Sequence, residues 1–102
     1  MLRYRPAVKI ISNRALRTFA ASHPDAEVPL RGWRRVIEAN RFASWAALKS
    51  VFGSVDRVGE LAVFDIGGNM YRLVAYVRFE KQIVYVKAIL THRQYDQGTW
   101  KK

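Results

Sequence analysis

No cysteine occurs anywhere in the 102 residues, which excludes a disulfide framework, thiolate metal sites and a cysteine nucleophile. Histidine is nearly as scarce: His23 and His92 are the whole supply, with no HExxH pattern or carboxylate cluster beside them, so neither a metal site nor a cofactor is expected. No apolar run approaches the about 18 residues of a membrane span, and the start, Met1-Leu2-Arg3-Tyr4-Arg5-Pro6, lacks the apolar stretch of a secretory signal. A reducing cytoplasm, away from any membrane, is the expected setting. Acidic residues are the other shortage. Eight Asp and Glu face 18 Lys and Arg, a formal charge of +10, and such a surface attracts polyanions. The partner classes implied are nucleic acid and acidic protein. Arginine supplies 12 of the 18 cations, and its planar fork suits phosphate contacts and stacking.

Hydrophobic residues make up half of the chain, enough for one domain over residues 1–102 with its own core and too short a chain for two ordinary ones. The last third is the most regular. From Met70 to Phe79 the residues alternate, Tyr71, Leu73, Ala75, Val77 and Phe79 against Arg72, Tyr76 and Arg78, and Ile83 to Leu90 repeats the period with Val84, Val86, Ala88 and Leu90 on one side. Period-two alternation of β-branched and aromatic residues predicts paired strands. A turn centred on Lys81-Gln82 keeps like faces together. It sets Phe79 against Val84, Val77 against Val86, Arg78 against Tyr85, Tyr76 against Lys87 and Arg72 against Thr91. One face is then core and the other basic and aromatic. The run 61–66 forms a preceding hairpin through Gly67-Gly68-Asn69, residues that accept a tight turn. A Gly68-Asn69 turn places Phe64 beside Leu73 and Asp65 opposite Arg72, and a Gly67-Gly68 turn has the same parity.

Upstream, residues 7–11 read as a short strand, and Ser12 caps a helix to Ser22 with Ala15, Leu16, Phe19 and Ala20 on one stripe. His23-Pro24 ends it. Asp25 opens a second helix to about Asn40, its start delayed by Pro29, with Leu30, Trp33 and Ile37 inward and Arg31, Arg34 and Arg35 outward. Ser44 caps a third, residues 45–52, and residues 53–60 read as a loop. Helices followed by hairpins predict an α+β domain with helices on one sheet face. The other face is left for function, and residues 91–96 follow it as a polar tail.

Cutting RNA without a metal requires a base for the 2′-hydroxyl proton, cations for the charge on phosphate, and an acid for the leaving 5′ oxygen. His92, Tyr95, Arg72, Arg78 and Lys87 supply those types on one expected face. Plainer readings accompany them: Arg72 as a cross-strand ion pair with Asp65, His92 as a solvated residue, His23 as a turn residue, Trp33 and Trp45 as core. Lys87, Arg78 and Lys49, with Tyr76 and Arg93, are the expected RNA-binding residues.

The stretch Phe64-Asp65-Ile66-Gly67-Gly68-Asn69-Met70-Tyr71-Arg72-Leu73, the ending Thr91-His92-Arg93-Gln94-Tyr95-Asp96, and the closing Gly98-Thr99-Trp100-Lys101 together resemble the HigB toxins of bacterial toxin–antitoxin systems, relatives of RelE. Residues 12–16, 23–26 and 54–59 are similar too, so the resemblance covers nearly everything from Val8 onward, with residues 1–6 as an extension. It implies a RelE-like fold, with an N-terminal strand and helices packed on one face of a C-terminal antiparallel sheet. It also implies cleavage of mRNA on translating ribosomes with Arg72, His92 and Tyr95 as the functional residues. Neutralisation by a HigA antitoxin carrying a helix-turn-helix domain follows from the resemblance, DNA being reached only through that partner. The rival readings are a non-catalytic RNA- or ribosome-binding module and a basic protein that serves only as partner to an acidic antitoxin.

Overall fold

In the computed structural model residues 8–11 and 13–101 are described. Ala7 and Ser12, placed in the first strand and at the first cap by the sequence reading, lie outside them, as do residues 1–6. In chain order the elements are β1 (Lys9–Ile11), α1 (Asn13–Ser22), a 3-10 turn (Pro24–Ala26), α2 (Glu27–Ala39), α3 (Trp45–Val51), β2 (Asp56–Val58), β3 (Leu61–Ile66), β4 (Tyr71–Arg78), β5 (Ile83–Thr91) and α4 (His92–Gln97). The sheet order is β1-β5-β4-β3-β2. Two corrections to the expected architecture follow. β1 pairs with β5 in parallel, so the sheet is mixed, and the expected loop 53–60 contains an edge strand, β2, paired antiparallel with β3.

Helices α1 to α3 cover one sheet face. Leu16, Leu30, Trp33, Ile37 and Leu48 are buried against Ala62, Phe64, Leu73, Ala75, Val84 and Val86. Phe64 is the hub, with Trp33 and Phe52 edge-on at 5.4 and 5.1 Å. Burying such side chains is the main driving force for the fold, about 1.5–3 kcal/mol for each large one. The Ser44 hydroxyl accepts from the Ala47 N–H as the expected cap of α3.

The first hairpin takes the Gly68-Asn69 register: Phe64 lies opposite Leu73, Asp65 opposite Arg72 and Ile66 opposite Tyr71. Gly67 and Gly68 both have positive φ, which only glycine adopts at no steric cost. The second hairpin departs from expectation. Arg78 pairs with Ile83, Val77 with Val84 and Tyr76 with Tyr85, so the turn is residues 79–82, centred one residue earlier than Lys81-Gln82. Between Val74 and Ala75 the register shifts, and Lys87 is the residue left without a partner. A β-bulge of this kind carries one extra residue and reverses which face the following side chains take. Past Lys87, Ile89 therefore joins Leu73 under the helices, while Ala88 and Leu90 turn to the opposite face. Arg72 consequently sits opposite Leu90, not Thr91.

That opposite face is not all open. Leu61, Val63, Val74 and Trp100 form a second buried cluster, with Val58, Ala88, Leu90 and Tyr95 packed against it. The residues expected as a polar tail make this possible by forming α4. Thr91 and Gln94 build a capping box, and Gly98 closes the helix in the left-handed conformation. A 3-10 turn, Thr99–Lys101, then returns Trp100 to the sheet.

Candidate active site

Arg72 is the second residue of β4, the middle strand of the sheet, with its side chain only 12% exposed. Its Nε lies 3.1 Å from Asp65 Oδ1 as an ion pair, Nη1 donates to the Tyr71 carbonyl at 3.2 Å, and Nη2 donates to the Asn69 side-chain oxygen. The plain reading of an Asp65 ion pair is thus correct as geometry. It still leaves two of the five guanidinium N–H groups free for a phosphate, in a fork whose direction three protein acceptors hold. Above it lies Tyr95, with the guanidinium carbon 5.6 Å from the ring centre. Tyr95 in turn stacks on Trp100 at 4.9 Å, and the Trp100 N–H donates to the Tyr95 carbonyl at 2.8 Å. With its ring engaged on both neighbours, Tyr95 has its hydroxyl to offer, and that oxygen makes no hydrogen bond among the described residues.

His92 opens α4, half exposed, with Nδ1 3.1 Å from Asp96 Oδ2. The charged group in hydrogen-bond contact with it is a carboxylate. An ionised carboxylate only accepts, so Nδ1 carries the proton, and in the neutral imidazole Nε2 then presents the lone pair. That is the tautomer a proton acceptor needs.

The expected RNA-binding residues divide. Lys87 projects from the bulge and Arg93 from α4, both exposed. Tyr76 is 40% exposed on the same sheet face as Arg72. Arg78 lies six residues further along β4 than Arg72, about 20 Å at strand spacing, so the two cations cannot meet one phosphate. Arg78 also donates to Glu80 at 2.8 Å. That partner holds Arg78 protonated even more firmly than usual, while the Glu80 carboxyl is held below its ordinary range by its own backbone N–H and then by Arg78. Lys49 is on α3 under the other face, where its ammonium donates to the Val55 carbonyl at 3.1 Å, and it is not brought to the site. Among the described residues no group of His, Asp and Glu side chains could hold a metal ion.

Four contributors were passed over in the sequence: Asp96, Asn69 and Trp100, and Asp65 as more than a competitor. A signal existed for Asp96. Thr91-x-x-Gln94 is a capping-box pattern, and a helix starting there puts His92 and Asp96 one turn apart. Asn69 and Trp100 carried no comparable signal.

Comparison with known proteins gives this geometry a family. A model described as HigB_toxin, the RelE-like toxic component of a toxin–antitoxin system, matches residues 26–98. The chain belongs to the HigB toxin family. Similar proteins include the mRNA interferase toxin HigB of Escherichia coli K12 and the mRNA interferase HigB of Shigella flexneri, each 36% identical over 90 residues, 85% of this chain and 86% of theirs. The mRNA interferase HigB of Escherichia coli O6:H1 is 30% identical over 93 residues, 88% of this chain and 90% of its own length. The matched span contains β2 to β5 and α4, so every HigB-family side chain named above from Asp65 to Asp96 lies within it.

Proposed function

We propose that this HigB-family toxin is a metal-independent endoribonuclease that cuts mRNA on translating ribosomes and thereby stops protein synthesis. The observation that carries the mechanism is the His92 to Asp96 contact, 3.1 Å, which leaves Nε2 as the base. His92 Nε2 takes the proton of a ribose 2′-hydroxyl, the 2′ oxygen attacks the adjacent phosphorus, and the bond to the 5′ oxygen breaks as that oxygen takes up a proton delivered from solvent. The products are a cyclic phosphate and a free 5′-hydroxyl. Arg72, fixed by Asp65 and Asn69, faces the charge that develops on the phosphorane. Lys87 at the bulge is the second cation of the site, and the Tyr95 hydroxyl assists the proton transfer. Arg93 binds the RNA backbone beside α4, and Tyr76 and Arg78 bind it further along β4.

The partner that silences it is a HigA-type antitoxin with a helix-turn-helix domain, the toxin meeting DNA only through that protein. Its setting is the cytoplasm; no described helix is long and apolar enough to cross a membrane. Cleavage of mRNA on programmed ribosomes tests the reading, with His92→Ala beside the wild type and the fold followed by circular dichroism. The variant stays folded, because His92 is exposed, and cuts about 10²–10⁴-fold more slowly, the usual size of a general-base contribution. A wild type that binds ribosomes without cutting their mRNA would make this chain a non-catalytic binding module instead.

A further inference from the structure

At the end of the sheet remote from Arg72, the second hairpin runs on beyond the first. β3 begins at Leu61, paired with Tyr76, so Val77 and Arg78 have no partner on that side of β4. The result is a notch of about 680 Å³ lined by Trp45, Arg57, Tyr76, Arg78, Phe79 and Tyr85, within the 300–1,000 Å³ range of ligand sites. Its walls are preorganised. Arg57 is held over the Trp45 ring at 4.9 Å, with its Nε donating to the Gly59 carbonyl at 3.2 Å. Trp45 meets Phe79 edge-on at 5.5 Å. The Gln82 side chain clamps the hairpin turn to the loop before α3, accepting from the Phe42 N–H at 2.9 Å and donating to the Phe42 and Phe79 carbonyls at 2.6 Å. Tyr76 and Tyr85 are cross-strand partners on the face that also carries Arg72.

We infer that this notch is a nucleobase pocket, occupied by one unstacked base of the single-stranded message at a fixed distance from the cut. The inference rests on the reading of the chain as an RNA-cutting toxin and adds to it a place where sequence is read. Three features select a base over other ligands. The exposed Tyr76 ring, the half-buried Tyr85 ring and an arginine backed by tryptophan are flat surfaces of the kind on which splayed bases stack. Two arginines supply phosphate contacts on either side of the base. Glu60 and Glu80 also line the notch, and their carboxylates accept from exocyclic amino groups, which favours adenine, cytosine and guanine over uracil. Tyr76 lies four residues from Arg72, about 13 Å along the strand, so the base read here is not at the scissile phosphate.

The test uses RNA oligonucleotides made uncleavable by 2′-O-methylation, with a single abasic position moved along the strand. Binding to the wild type should fall about 5- to 150-fold when the abasic position meets the notch, the fold-change equivalent to the stacking of one base. In Tyr76→Ala and Arg57→Ala that penalty should vanish, intact and abasic strands binding alike, while Tyr76→Phe, which keeps the ring, should retain it. Mapping of cut ends on ribosomes should show the wild type's base bias at the matching offset flattened in the same two alanine variants. The pocket is overturned if no position is abasic-sensitive, if the sensitivity survives both alanine substitutions, or if they weaken antitoxin binding and leave RNA binding untouched. Failure of the wild type to cut on ribosomes with the abasic pattern intact would remove the nuclease reading and leave the pocket standing.

Discussion

At Arg72 the structural ties and the proposed role in cleavage fall on one side chain. Its side chain is tied to Asp65, Asn69 and the Tyr71 carbonyl, and those ties aim the remaining donors. Lysine keeps the charge and loses the fork. Arg72→Lys should therefore leave a folded protein that cuts ribosome-bound mRNA about 10²-fold more slowly, the scale of one lost charge-stabilising donor. A lysine variant within about threefold of wild type, far short of that scale, would reduce Arg72 to its Asp65 pair. Tyr71, beside it in the chain, points under the helices and donates to Asp25 at 2.6 Å, with His23 stacked on Phe19 and edge-on to the tyrosine ring. His23 is thus packed between ring neighbours and is more than a turn residue. The bond to Asp25, then burial, raises the Tyr71 hydroxyl above its ordinary value of 10.0. A group raised on folding contributes stability that is complete below its unfolded value and is lost as pH rises through the folded one. Melting temperature measured from pH 8 to 11 should fall above about pH 10 more steeply in the wild type than in Tyr71→Phe, which has nothing to ionise.

Among the elements, α4 decides whether the site exists. Its six residues bring His92 to Asp96 and Tyr95 to Arg72, and a helix so short depends on its cap. Thr91→Ala removes the hydroxyl that accepts from the Gln94 N–H at 3.2 Å, a change that costs about 0.5–2 kcal/mol of helix stability. The expected outcome is faster amide exchange across residues 92–97 and slower cutting, with the melting of the main core little changed. Exchange as slow as in the wild type would mean that Trp100 packing, not the cap, holds the helix. The bulge at Lys87 is the other decisive element. Without it Ala88 and Leu90 would lie under the helices, and the seat for Tyr95 and Trp100 would lack its floor.

For the molecule as a whole, charge sets the first encounter with its target. At +10, binding to single-stranded RNA should weaken steeply with salt, each neutralised phosphate adding roughly −0.7 to the slope of log affinity against log salt. Arg72→Ala should make the slope shallower. An affinity that ignores salt would exclude the basic face as the binding surface.

Several levels of this organisation were legible in the amino-acid order. Apolar stripes at helical spacing placed Leu30, Trp33, Ile37 and Leu48 inside, and the glycines of the first hairpin, with its alternation, put Asp65 opposite Arg72, one of two turns then open. These are local properties: periodicity and backbone freedom act over a few residues and need no distant partner. The second hairpin was misread because a bulge changes the period in the middle of a strand, and nothing in Val86-Lys87-Ala88 announces it. The parallel pairing of β1 with β5 was equally hidden, since it joins residues more than 70 positions apart and depends on how the helices fold back. The composition of the chain determined that its surface is basic and its chemistry free of thiols. Only the tertiary structure decided that His92 meets a carboxylate, that Tyr95 rests between Arg72 and Trp100, and that Arg78 serves the far end of the sheet, because each of these depends on where separate elements come to lie beside one another.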